Sequence, residues 1–124
     1  MSDSTIKNLK LITQPCDFKN LRDGKKMPTD IDGFYDHNGT HFIYIEVKSK
    51  GKDMTMGQRI ALERLCDATQ KAGVHSIVLV AEHDTDKVID VGNCTVVKYR
   101  FKGSWRETKP CTVKKALFSF IKNN

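Results

Sequence analysis

Asp30, Asp32, Glu46 and Lys48 are the residues whose types and spacing can do chemistry. Residues 30 to 36 read as a strand, the Asn38-Gly39 pair is a strong hairpin signal, and HFIYIEVK (41 to 48) reads as the return strand. Side chains alternate across a strand, so residues two apart share a face. Asp30, Asp32, Phe34 and Asp36 then share one face of the first strand. Phe42, Tyr44, Glu46 and Lys48 share one face of the second, while Ile43, Ile45 and Val47 point into a core. A turn near Asn38 sets Asp30 and Asp32 opposite Glu46 and Lys48.

Three clustered carboxylates repel one another, which costs stability unless a cation joins them. A hard divalent ion such as Mg²⁺ takes one or two carboxylates, keeps several waters and accepts phosphate oxygens. Asp32 (or Asp30) with Glu46 and the backbone carbonyl of Val47 would make such a site. The Lys48 ammonium could orient an attacking water or neutralise charge on a phosphoryl transition state. With a depressed pKa it could instead take the proton from that water. An exposed amphipathic hairpin would also carry Glu46 and Lys48 as ordinary solvent-face charges. The Asp-x-Asp opposite them, and the capped helix that follows, set this sequence apart from that common case.

The elements that must position these groups follow from periodicity. Segment 55 to 72 predicts a helix with Thr55 and Gln58 as a capping box and Gly73 as its stop. Its stripe is Gln58, Leu62, Leu65 and Thr69, flanked by Ala61, Ala68 and Ala72. HSIVLVA (75 to 81) predicts a strand buried on both faces, and CTVVKYRF (94 to 101) a strand nearer an edge. Pro110 is expected to open a last helix over 112 to 122, with Val113, Ala116, Leu117, Phe120 and Ile121 inward. Residues 4 to 13 predict a short helix and 15 to 28 a loop or irregular strand. The order is (α)ββαββα, with a right-handed crossover from strand 41–48 to strand 75–81. The expected architecture is one α/β domain over residues 1–124, a mixed sheet flanked by helices.

A chain of 124 residues suits one core rather than two. No apolar run approaches the roughly 20 residues that span a bilayer. Met1 to Lys10 is polar and mixed in charge, unlike a signal peptide, so no membrane partner and a cytoplasmic location are expected. Cys16, Cys66, Cys94 and Cys111 form no CxxC pair and read as reduced thiols. Their spacing to His37, His41, His75 and His83 matches no zinc finger or ribbon. The net charge of +6 is uneven: residues 91 to 124 hold eight basic and one acidic side chain. Lys98, Arg100 and Lys102 alternate within that third, which suits a polyanion such as DNA or a merely solvated basic face. Tyr99 and Trp105 there could stack on bases or pack in the core.

Pro28-Thr29-Asp30-Ile31-Asp32-Gly33, followed by Ile45-Glu46-Val47-Lys48, resembles the PD-(D/E)XK nuclease signature. Gly57-Gln58-Arg59 with Leu62 resembles the glutamine motif on the helix after ExK in resolvase-like and VRR-NUC-type branches. The stretch 28 to 68 looks like small phage-type members. The resemblance implies a restriction-endonuclease-like fold and Mg²⁺- or Mn²⁺-dependent phosphodiester hydrolysis. It places metal ligands at Asp32 and Glu46, with Asp30 as an alternative, and the catalytic lysine at Lys48. Gln58 would contact the scissile phosphate or a metal-bound water, or serve only to cap its helix with Thr55. Lys50 and Arg59 are phosphate-contact candidates. Many members add a glutamate from an N-terminal helix. Residues 1 to 14 have none, which leaves Asp3, Asp17 or Asp23 as stand-ins.

The expected function is a structure- or end-directed deoxyribonuclease, with a homodimer as its expected form. The alternative is a catalytically silent nuclease-fold module that binds DNA or protein. RNA is a further candidate substrate, although no usual RNA-binding signature is present.

Overall fold

A computed structural model describes residues 15–124. The predicted helix over 4 to 13, and Asp3, lie outside the described residues. Five strands and two helices follow a short 3-10 turn at Lys19–Leu21: β1 (Gly33–His37), β2 (His41–Ser49), α1 (Met56–Lys71), β3 (His75–His83), β4 (Thr95–Phe101), β5 (Ser104–Thr112) and α2 (Val113–Asn123). The strands form one mixed sheet in the order β1-β2-β3-β4-β5. Only β2 and β3 run parallel, joined through α1. The architecture is a single α/β domain, a five-stranded mixed sheet with two helices.

The β1–β2 hairpin forms where Asn-Gly requires it. Asn38 and Gly39 take φ of 55° and 70°, the left-handed region that this pair tolerates best. His37 pairs with His41, and Gly33 with Ile45. β1 is shorter at its start than the predicted 30 to 36, so Asp30 and Asp32 precede the strand rather than alternating along it.

Both faces of β2 are covered. Ile43 and Ile45 join Ile77, Leu79, Val96, Val113, Leu117 and Phe120 in one core, under α2. Tyr44 joins Leu62, Cys66, Val78 and Val80 in a second core, under α1. The inward stripe of α1 is Leu62 and Cys66, whereas Leu65, expected inward, is 38% exposed. An i, i+4 step from Leu62 reaches Cys66, so the sheet-facing row passes Leu65 by. The inward face of α2 is the predicted one.

One strand is missing from the sequence reading. Residues 104–112 form β5 rather than a connection, and Pro110 lies in it instead of opening a helix. Among the described residues β5 pairs only with β4, and an edge strand tolerates a residue that cannot donate to a ladder. Lys102 and Gly103, at φ of 49° and 80°, make the tight turn between β4 and β5. Lys102 is therefore a turn residue, not the next step of an alternating strand. Thr112 caps α2, accepting from the Lys115 amide at 3.1 Å. No described helix is long and apolar enough to cross a membrane. Cys66 and Cys94 are buried, Cys111 is half-buried, Cys16 is exposed, and all four are free thiols.

Candidate functional site

Glu46 lies on the α1 face of β2, its side chain 1% exposed. Burying a carboxylate is expensive unless its oxygens find partners. Oε1 meets Lys48 Nζ at 3.1 Å. Oε2 is buried and has no hydrogen-bond partner among the described residues. Burial holds the Glu46 carboxyl above the ordinary carboxylate range, and the neighbouring Asp32 carboxylate pushes the same way. Lys48 pulls against both without cancelling them.

Asp32 reaches the site because β1 starts only at Gly33. Its Oδ2 accepts from the Val47 amide at 2.8 Å, capping the edge of the hairpin just before ladder pairing begins. Asp30 is exposed and makes no side-chain hydrogen bond among the described residues. Of the two aspartates, the structure brings Asp32 to Glu46. Val47 was expected to offer its carbonyl, and here its amide is the group tied to Asp32.

Lys48 is drawn between two elements. Its ammonium donates to Gln58 Oε1 at 2.9 Å while contacting Glu46. The same Gln58 oxygen accepts from the Thr55 amide at 3.1 Å, and the Gln58 amide donates to Thr55 Oγ1 at 3.2 Å. The two roles weighed for Gln58, cap and site, coexist in one oxygen. An ammonium carries three donors, so two are engaged and one is left to point outward.

Two carboxylates, one with an orphaned oxygen, are hard oxygen donors of the kind that Mg²⁺ or Mn²⁺ takes one or two of. Among the described residues no group of three or more His, Cys, Asp or Glu side chains is arranged to hold an ion. Asp17 instead accepts from the Lys19 amide at 2.9 Å, and Asp23 is exposed beside its bridge to Lys26. His37, His41 and His75 line one row across β1, β2 and β3, at the far end of β2 from Lys48.

The expected nucleic-acid contacts divide. A register shift between Val96 and Lys98 turns Lys98 and Arg100 toward the acidic side of α1. Arg100, 12% exposed, holds Asp67 through two bonds of 3.0 and 2.7 Å and lies 3.7 Å from Glu63. Lys98 pairs with Asp53 at 3.1 Å and lies over the Trp105 ring. The Trp105 indole donates to Glu63, and Tyr99 packs in the α2-side core. Arg59 pairs with Glu63 at 3.5 Å. Lys50 and Lys102 are exposed. Lys50 borders a cavity of about 510 Å³ where β2 and β3 end, with Glu82, His83 and Asp90. Sequence reading missed this cavity because the 84–93 loop that shapes it has no periodicity.

No protein-family model, curated protein or solved structure matches the chain.

Proposed function

We propose that this chain is a metal-dependent deoxyribonuclease of the PD-(D/E)XK type, with a restriction-endonuclease-like fold and DNA as its partner. The observation that carries the reading is the buried Oε2 of Glu46, without a hydrogen-bond partner among the described residues, beside Asp32 and with Lys48 held one pleat away. A buried carboxylate oxygen without a partner costs stability, and a cation at that point removes the cost. Bound there, Mg²⁺ or Mn²⁺ would polarise the scissile phosphate and make a bound water more nucleophilic.

The chain's own groups supply the rest. Asp32 and Glu46 would hold the ion. Glu46 and Gln58 fix the Lys48 ammonium from two sides, and its remaining donor meets a phosphate oxygen or the attacking water. Arg59 and Lys50 flank the helix start and the end of β2, where the rest of the backbone would pass. A homodimer would let the two strands of a duplex be cut by symmetric sites.

The test is cleavage of labelled single strand, duplex, nicked duplex, flap and four-way junction, each with EDTA, Mg²⁺ or Mn²⁺, beside Lys48→Ala. Cutting that needs metal and is lost in the variant supports the reading. Retardation of DNA with no cutting in either metal overturns it in favour of a binding module.

A further inference from the structure

Phe34, the second residue of β1, is 52% exposed. It faces the α1 side of the sheet, because it pairs with Tyr44, whose ring lies at 5.3 Å and 29° to it. Phe42 meets it edge-on at 5.0 Å. Tyr44 is 3% exposed and fixed in turn by a hydrogen bond of 3.1 Å between its hydroxyl and that of Thr69. The Phe34 ring is thus supported on one side and open on the other.

That open ring adjoins the candidate site. Tyr44, Glu46 and Lys48 succeed one another on the same face of β2, and Phe34 is the cross-strand partner of Tyr44. Two such steps, from Tyr44 to Lys48, span about 14 Å along a strand, a distance covered by an extended single strand of more than one nucleotide. Aromatic side chains that take bases by stacking tolerate any sequence, but they need the base to be unpaired.

We propose that Phe34 is a stacking platform for an unpaired base, so that the Glu46–Lys48 site takes single-stranded nucleic acid or a frayed end. The placement of the phosphate rests on the nuclease reading above. An unpaired strand enters along the hairpin with one base on Phe34 and a phosphate further along the same strand at Lys48. An intact duplex keeps its bases inside the stack and cannot use the ring.

Binding is measured by fluorescence anisotropy in a Lys48→Ala background with Mn²⁺, using a short labelled oligodeoxythymidylate and a blunt duplex of matched length. Adding Phe34→Ala should weaken single-strand binding about tenfold, within the range measured for base–aromatic stacking. Duplex binding should stay unchanged, and Phe34→Tyr should restore the single-strand affinity. Equal loss on both probes, no loss on either, or no binding at all overturns the platform. So does a drop in Tm without a change in affinity, which would make the ring a packing element of the chain itself. Cutting by the wild-type chain is scored separately. Its absence removes the nuclease, while a Phe34-dependent preference for the single strand would still stand.

Discussion

The Lys48 ammonium donates to Gln58 Oε1 over 2.9 Å, and that oxygen also closes the capping box of α1 on the Thr55 amide. The start of the helix and the position of the lysine are therefore one structure. Losing the Gln58 side chain loosens Lys48 as well as the first turn of α1.

This coupling can be separated by two variants. Thr55→Ala removes a cap bond and should cost about 1 kcal/mol, a few degrees in Tm, with little effect on cutting. Gln58→Ala removes the cap and the lysine's partner together. It should cost a similar stability and lower the cleavage rate by roughly tenfold or more, as loss of a positioning contact does. Equal cleavage rates for the two variants, by single-turnover assay, would show that Gln58 only caps.

Glu46→Gln and Lys48→Ala should differ in their response to metal. Mn²⁺ bound at the proposed site should raise the wild-type Tm over EDTA. Lys48→Ala should keep that rise and lose cutting. Glu46→Gln should lose both, and in EDTA it should melt higher than wild type, since a neutral amide avoids burying a charge beside Asp32. Differential scanning fluorimetry reads all three chains.

Arg100 belongs to stability more than to DNA. Arg100→Ala removes the pairing of Asp67 and one of several contacts of Glu63, and should cost about 1–2 kcal/mol, below the fully buried case because Asp67 is partly exposed. The slope of log K against log salt should barely change. Neutralising Lys50 and Lys102 together should flatten it by between one and two phosphate contacts. Urea denaturation and salt-titrated binding check the two halves of this prediction.

Burial pushes the Cys66 thiol up to about 12. At pH 8 almost none of it is thiolate, so iodoacetamide should label exposed Cys16 quickly and Cys66 only as the chain opens. An unfolded thiol loses its proton near its ordinary value of 9.0, well below the folded one. The folded state then binds the extra proton, and stability falls as pH rises from 9.0 toward about 12. Mass-spectrometric mapping of labelled peptides gives the order of reaction.

Much of the scaffold was legible because its signals are local. Asn38-Gly39 determines a hairpin through backbone sterics alone. Thr55 and Gln58 cap a helix through bonds three residues apart. The apolar run 77 to 81 has no stable place except between two covered faces. Those signals also put Glu46 and Lys48 on one face, since alternation is a property of the strand itself.

The tertiary structure decided what distance along the chain hides. Asp32, rather than Asp30, reaches Glu46 because β1 begins one residue later, at Gly33, and the free carboxylate turns back to the Val47 amide. β5 was illegible because its residues are polar and contain Pro110, acceptable only at an edge that the sheet order defines. Lys98 and Arg100 looked like a free basic stripe until the bulge in β4 aimed them at Asp53, Glu63 and Asp67, remote in sequence. The sequence by itself determined which groups could do chemistry and which elements carry them. Only the packing of those elements decided which charges meet, because an ion pair depends on distance in space and the chain records only distance along itself.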